Sequence, residues 1–264
     1  MKKVIINADD FGYSSAVNGG IIQAFKKGIL SSTTLMANMP GCDEAIELAK
    51  KNPTLGVGGH LVLTCGKALT SSNSLVDSEG KFFKLNEYKK YRSEMKDEEI
   101  FNEWSCQIEY LINNGVELTH LDSHHHVHTF SENLEITKRI AEKYHLAFRN
   151  AFDLENQISL PYQKGIKGFD DLMNEAAIRD MSSSYHEKKD QCLDEIKVIL
   201  ERIEEQEITE LMVHPAFVDE MLYFNSSFNL ARMREVEILS DPEVEKLFKS
   251  YEIEIVCYRD VAIS

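Results

Sequence analysis

Hydrophobic positions along the chain repeat one unit: a short apolar run, then a stretch in which apolar residues recur every three or four positions. Residues 4–6 read as a buried strand, and 16–27 as an amphipathic helix stopped by Gly28. Residues 33–36 predict a second strand, followed by a helix near 43–51 that ends before Pro53. A third strand is expected over 55–63, weakened by Gly58 and Gly59 just ahead of His60. The rhythm then breaks. Polar and turn-forming residues such as Ser71, Ser72, Asn73 and Gly80 mark 64–95 as a long inserted loop, of a length that in a compact domain usually serves function. Over 97–114, Ile100, Phe101, Trp104, Ile108, Leu111 and Ile112 form one helical stripe that Gly115 ends. A strand over 116–121 follows, then a helix over 132–145 with Ser131 as its N-cap. Residues 146–149 suggest another short strand, and 150–185 show no pattern that organises them. A helix over 187–206, a strand over 208–213, two short helices and a closing strand over 252–258 complete the chain.

Repeated β–α alternation predicts a parallel sheet with helical cover, in one domain spanning residues 1–264. The first βα turn carries Asp9, Asp10, Phe11 and Gly12 rather than a glycine-rich phosphate loop, which disfavours a dinucleotide site. Polar residues at the ends of several different strands favour closure into an α/β barrel.

Charge narrows the class. With 44 acidic against 29 basic residues the net charge is -15, so a nucleic-acid partner, which needs a concentrated positive face, is not expected. The cysteines (Cys42, Cys65, Cys106, Cys192 and Cys257) are odd in number, with no CxxC, and read as reduced thiols. No apolar run reaches membrane-spanning length, and the aspartates at 9 and 10 interrupt any secretory leader. The expectation is a cytoplasmic protein acting on a small molecule without a membrane or nucleic-acid partner, with room for a homodimer.

The candidate chemistry sits at strand ends. Asp9 and Asp10 follow the first apolar run, on opposite sides of an extended chain, so one carboxylate suits a cation and the other a proton. His60 follows the third strand. Residues 120–128 hold five histidines and Asp122; in an extended segment Asp122, His124 and His126 share a face, whereas an early helical turn would align His124 with His128. His214, before Pro215, exits a late strand. An Asp and two His leave coordination positions open for water and substrate, as a hydrolytic metal requires. Arg232, Arg234 and Glu235 read as a solvated helix face.

These motifs carry a resemblance. NADDFG at 7–12, GGHLVLTCGKAL at 58–69, THLDSHHHVH at 119–128 and MVHPA at 212–216 resemble the YdjC-like carbohydrate deacetylases, which include chitooligosaccharide deacetylases. The likeness implies a distorted TIM-like barrel and a hydrolase that removes acetyl groups from N-acetylglucosamine-containing sugars. It implies Asp10, His60 and His124 as ligands of one divalent metal, Asp9 as general base, and His214, protonated at rest, as donor to the leaving amine. The metal usually attached to the family is magnesium; two imidazoles suit zinc or another transition metal better. Val62, Ala68 and Ala216 depart from the family's common residues and border the expected pocket. The rival readings are a metal hydrolase acting on another amide or a phosphoester, and a non-catalytic sugar- or metal-binding protein.

Overall fold

The computed structural model describes residues 2–205 and 207–262. Within them one all-parallel sheet is built from β1 (Lys2–Phe11), β2 (Ser32–Leu35), β3 (Gly56–Leu61), β4 (Leu121–Ser123), β5 (Ile166–Asp171), β6 (Ile208–Val213) and β7 (Ile253–Ile255). The order is β4-β3-β2-β1-β6-β5. β1 is long enough to serve three neighbours: β6 on one edge, and on the other β7 beside Lys2–Val4 and β2 from Asn7 onward. Beyond β4 the ladder continues only as a single bridge, Leu121 to Phe148. The remaining gap is spanned by side chains: Asn150 Nδ2 donates to the Ile166 carbonyl at 3.2 Å, and Arg149 Nε donates across the interior to Glu210 at 2.8 Å. The sheet thus curls into a distorted barrel.

The period of two along each strand decides what lies inside. On β1, Val4, Ile6 and Ala8 face the helices and join the main apolar core, whereas Ile5 packs in a separate interior cluster with Ile166, Val256 and Tyr258. Asn7 and Asp9 continue the inner face. On β6, Glu210 and Met212 do the same, and on β4 Asp122 does so. The lower interior is therefore apolar and the upper interior polar. Gly58 is there for a close approach: a Cβ would meet the His120 ring at 2.6 Å, the ring that stacks on Tyr258 at 3.5 Å.

Several elements differ from expectation. The fourth strand is later and shorter than 116–121, so Asp122 lies inside it. Ser131 does not cap: its hydroxyl bonds Glu132, a single 3-10 turn intervenes, and the helix begins at Leu134. Residues 146–149 contribute only the one bridge. The unorganised stretch 150–185 contains β5, whose sequence IKGFDD is half-buried and lacks apolar alternation. The segment 64–95 is not wholly a loop, since Leu85–Tyr91 is helical. Three short helices rather than two follow β6: Glu220–Asn225, Ala231–Leu239 and Pro242–Ser250. All the cysteines are free. Among the described residues no helix is long and apolar enough to cross a membrane.

Candidate active site

The C-terminal ends of β1, β3, β4 and β6 bring the predicted residues to one cavity of 1360 Å³, whose lining includes Asp9, Asp10, His60, His124 and His214. At the end of β1 the pairing with β2 slips between Ala8 and Phe11, and Asp10 adopts φ 69°. Such an irregularity re-aims adjacent side chains, and here it sends the two aspartates to different partners. On β3, His60 is paired in register with Asp122 of β4, so the side chains stand side by side: His60 Nδ1 lies 2.7 Å from Asp122 Oδ1. Thr34 on β2 completes the support, donating to Asp122 Oδ2 at 2.9 Å. After β4 the chain turns sharply, with His125 and His126 in the left-handed region at φ 57° and 53°. That turn keeps His124 aimed at Asp10 and ends the alternation that would have carried His126 alongside it. His128 is buried elsewhere, bonded to Ser123 Oγ at 2.6 Å, and His125 pairs with Thr64.

Asp10, His60 and His124 converge closely enough that they could hold a cation. His124 Nδ1 is 3.0 Å and His60 Nε2 3.4 Å from the same oxygen, Asp10 Oδ1. A cation bound about 2.0–2.2 Å from each donor would set donor–donor edges of about 3.0–3.5 Å, which both edges at Asp10 Oδ1 match. His60 Nε2 is buried without a hydrogen-bond partner, while its Nδ1 is held by Asp122, the usual way a ligating imidazole is oriented. Charge agrees. Burial opposes a charged His60, yet Asp122, Asp10 and Asp9 outweigh it and raise its pKa to about 10. The pKa of His124 is likewise raised, against burial, by Cys65 and Asp10. A second cluster, Asp9, His60 and Asp122, also converges. It is already neutralised, because Arg149 Nη2 sits 2.5 Å from Asp9 and 3.0 Å from Asp122. The fit therefore favours the first set.

Two arginines complete the site. Arg149, fully buried, holds both oxygens of Asp9 and also reaches Glu210, whose other oxygen accepts the Tyr258 hydroxyl. Burial raises the Asp9 pKa, but Arg149, His60 and His214 more than reverse it, so Asp9 is ionised far below its usual range. Arg232 donates to Asp10 Oδ2 at 2.7 Å, leaving Oδ1 for the imidazoles. The expectation of a solvated face for Arg232, Arg234 and Glu235 is thus corrected: all three are buried. Their helix packs against Ser15–Lys27, and these three charges lie on its buried side, while Glu237 is exposed. Glu235 accepts the backbone N–H of His214 at 2.5 Å, and Arg234 donates to the Ser183 carbonyl at 2.6 Å. His214 itself differs from expectation. Burial and Arg232 lower its pKa to about 4, so the imidazole is neutral at rest.

Residues of 64–95 form one wall of the cavity, among them Thr64, Lys67, Lys81 and Leu85, on the same side of the barrel as the strand ends. The helix Glu220–Asn225 and the loop to Phe228 form another.

Comparison with known proteins places this geometry. The profile of a family described as YdjC-like protein matches residues 3–250. The carbohydrate deacetylase of Brevibacillus brevis is 35% identical, with 98% of this chain and 99% of that protein covered. That of Vibrio cholerae is 35% identical over 97% of this chain and 95% of its own. Among solved structures, a candidate cellobiose-phosphate cleavage protein from Enterococcus faecalis superposes with a TM-score of 0.81 at 32% identity, covering 99% of both chains.

Proposed function

The chain belongs to the YdjC-like protein family, and we propose that it is a carbohydrate deacetylase that hydrolyses the acetamide of an N-acetylated sugar with one divalent metal held by Asp10, His60 and His124. The observation that carries this reading is the position of a proton-handling pair, Asp9 and His214, on the same cavity as the three converging donors. Simple binding of a sugar or a metal needs no such pair. The bound metal would supply Lewis acidity, polarising the acetyl carbonyl and lowering the pKa of a water.

The protein's own groups do the rest. Asp9, ionised and fixed by Arg149 at both oxygens, keeps lone pairs to take the proton of the attacking water. Water adds to the carbonyl carbon, the C–N bond breaks, and acetate and a free amine result. The proton that leaves water at Asp9 must end on the amine. His214, neutral at rest, is suited to relay it, since it charges only while the reaction places negative charge beside it. The cavity exceeds the roughly 300–1,000 Å³ of a typical small-molecule site, which suits oligosaccharides of N-acetylglucosamine better than one ring. Two imidazoles with one carboxylate oxygen accept zinc or another transition metal at least as readily as magnesium. In this reading residues 1–264 act as one domain, with 64–95 selecting the sugar.

The test is acetate released per free amine formed from an N-acetylated disaccharide, before and after chelation and after adding back magnesium, zinc or cobalt. Equal amounts of both products, lost on chelation and restored by one metal, are expected. Cleavage of a phosphoester without acetate release from any acetylated sugar would overturn the assignment.

A further inference from the structure

The short helix Glu220–Asn225 walls the cavity with one face and leaves another to solvent. Met221 and Asn225, one turn apart, line the cavity, and Leu222 packs into the core. At about 100° per residue, Phe224 stands about 60° round from Met221, on the side away from Leu222. That places it at the rim, beside the cavity face and outside the core. It is 76% exposed, the most exposed of the large apolar residues among those described, so packing within the fold does not account for it. Tyr223, half exposed, meets it edge to face, with ring centroids 5.1 Å apart and planes at 86°. Aromatic pairs favour that arrangement, and here each ring braces the other.

The rings are held in place. A helix this short does not sustain itself, and side chains fix both of its ends. Asp219 caps the first turn, accepting the Leu222 N–H at 2.9 Å. At the other end Asn229 folds back, its Nδ2 donating to the Tyr223 carbonyl at 3.2 Å and to the Ser226 carbonyl at 2.9 Å. Asn225 Nδ2 donates to the Met221 carbonyl at 2.9 Å. The local chemistry is also unusual for this chain. Between Glu220 and Arg232 there is no charged residue, although 28% of all residues are charged. Aromatic faces among asparagines and serines offer apolar contact and uncharged hydrogen-bonding groups, with no charge to select an ionic ligand. A pyranose ring matches both: its flat faces present C–H groups to an aromatic ring, and hydroxyls surround its edge.

We propose that Phe224, braced by Tyr223, is an outer sugar subsite, on which a further ring of a neutral oligosaccharide stacks as the chain leaves the cavity. The inference rests on the reading of the cavity as a site for N-acetylated sugars. The occupant follows from continuity: the residues beside Phe224 on the same helix already line the cavity, so a chain longer than the cavity passes over this rim. Stacking there adds affinity for long substrates without touching the reacting acetamide, which makes Phe224 a determinant of chain-length preference.

The experiment measures kcat and KM of wild type, Phe224→Ala and Phe224→Trp on the dimer, trimer, tetramer and pentamer of an N-acetylated sugar. In wild type, KM should step down at the length that first reaches the helix. In Phe224→Ala that step should vanish, KM rising roughly 3–10-fold on the longer chains only, with kcat within about twofold; Phe224→Trp should restore it. An equal loss at every length would mark a merely structural role, and no loss at any length would show that nothing stacks there; either result overturns the proposal. Sedimentation of both proteins covers the other occupant: a change of oligomeric state in Phe224→Ala without a length effect assigns the rings to a contact with a second copy and overturns it as well. If wild type releases acetate from no member of the series, the deacetylase reading has failed, and calorimetry of the pentamer with the same proteins decides the subsite alone. Weaker binding by Phe224→Ala supports it, and equal binding overturns it.

Discussion

Replacing Arg149 with methionine keeps much of the side-chain volume and removes the guanidinium that neutralises three buried carboxylates. Its Nη2 lies 2.5 Å from Asp9, 3.0 Å from Asp122 and 2.7 Å from Glu210, all on residues at most 3% exposed. Breaking a buried ion pair by deleting one partner costs about 3–5 kcal/mol, because the surviving charge stays buried. At about 2–4 °C per kcal/mol for a chain of this size, Tm should fall by roughly 6–20 °C. The cost should also depend on pH, and its sign is fixed. In the wild type the Asp9 pKa is depressed by Arg149, so its contribution is present above the unfolded value of 3.8 and lost as pH falls through the folded one. Without Arg149, burial at Asp9 is opposed only by His60 and His214, and Glu210, whose pKa burial already raises, loses its counter-charge and rises further. The variant's folded state then binds more protons than its unfolded state, and its stability falls as pH rises. The deficit measured by urea unfolding of chelated protein should therefore be smallest near about pH 4–5 and largest above about pH 7. A deficit under about 1 kcal/mol at neutral pH, or one flat across that range, would refute the account of Arg149 as the buried counter-charge.

Two further outcomes follow from the same site. Asp10→Asn should lose metal and activity together, whereas Asp9→Asn should retain metal and lose roughly 10²–10⁴-fold in turnover; elemental analysis beside acetate release distinguishes them, and the reverse pattern would exchange the two roles. Because the metal-free chain raises the pKa of both His60 and His124, and ligands must be neutral to bind, metal uptake should release about one to two protons and tighten as pH rises through neutrality. Calorimetry in buffers of different ionisation enthalpy reads the proton count, and a count near zero would mean that these imidazoles are not ligands.

What the sequence revealed, and what it hid, follows from where each residue's partner lies. Placement at the end of an apolar run is a local signal, so Asp9, Asp10, His60, His124 and His214 could be recognised as polar residues at strand ends. The choice of His124 over His126 was not local: it depends on two left-handed residues, and histidine runs carry no glycine to announce them. Arg149 was hidden for another reason. It follows a strand reduced to one bridge, and its three carboxylates come from β1, β4 and β6, as far as 140 residues away. Glu210 did leave a trace, being the one charged residue in the β6 run ITELMV, as a residue that meets a buried cation would be. Glu235 and Arg232 looked solvated because a helix bearing many charges normally is, and only the packed helix shows that Arg232, Arg234 and Glu235 lie on its buried side while Glu237 faces out. The polar interior itself explains why β1, β4 and β6 tolerate these residues. In a curled sheet the inner face at the C-terminal end is shielded from water yet lined by complementary charges. A carboxylate at that level is thus stabilised where an arginine from a distant element, or a bound cation, supplies the charge. Periodicity can place the first partner; closure of the barrel supplies the second.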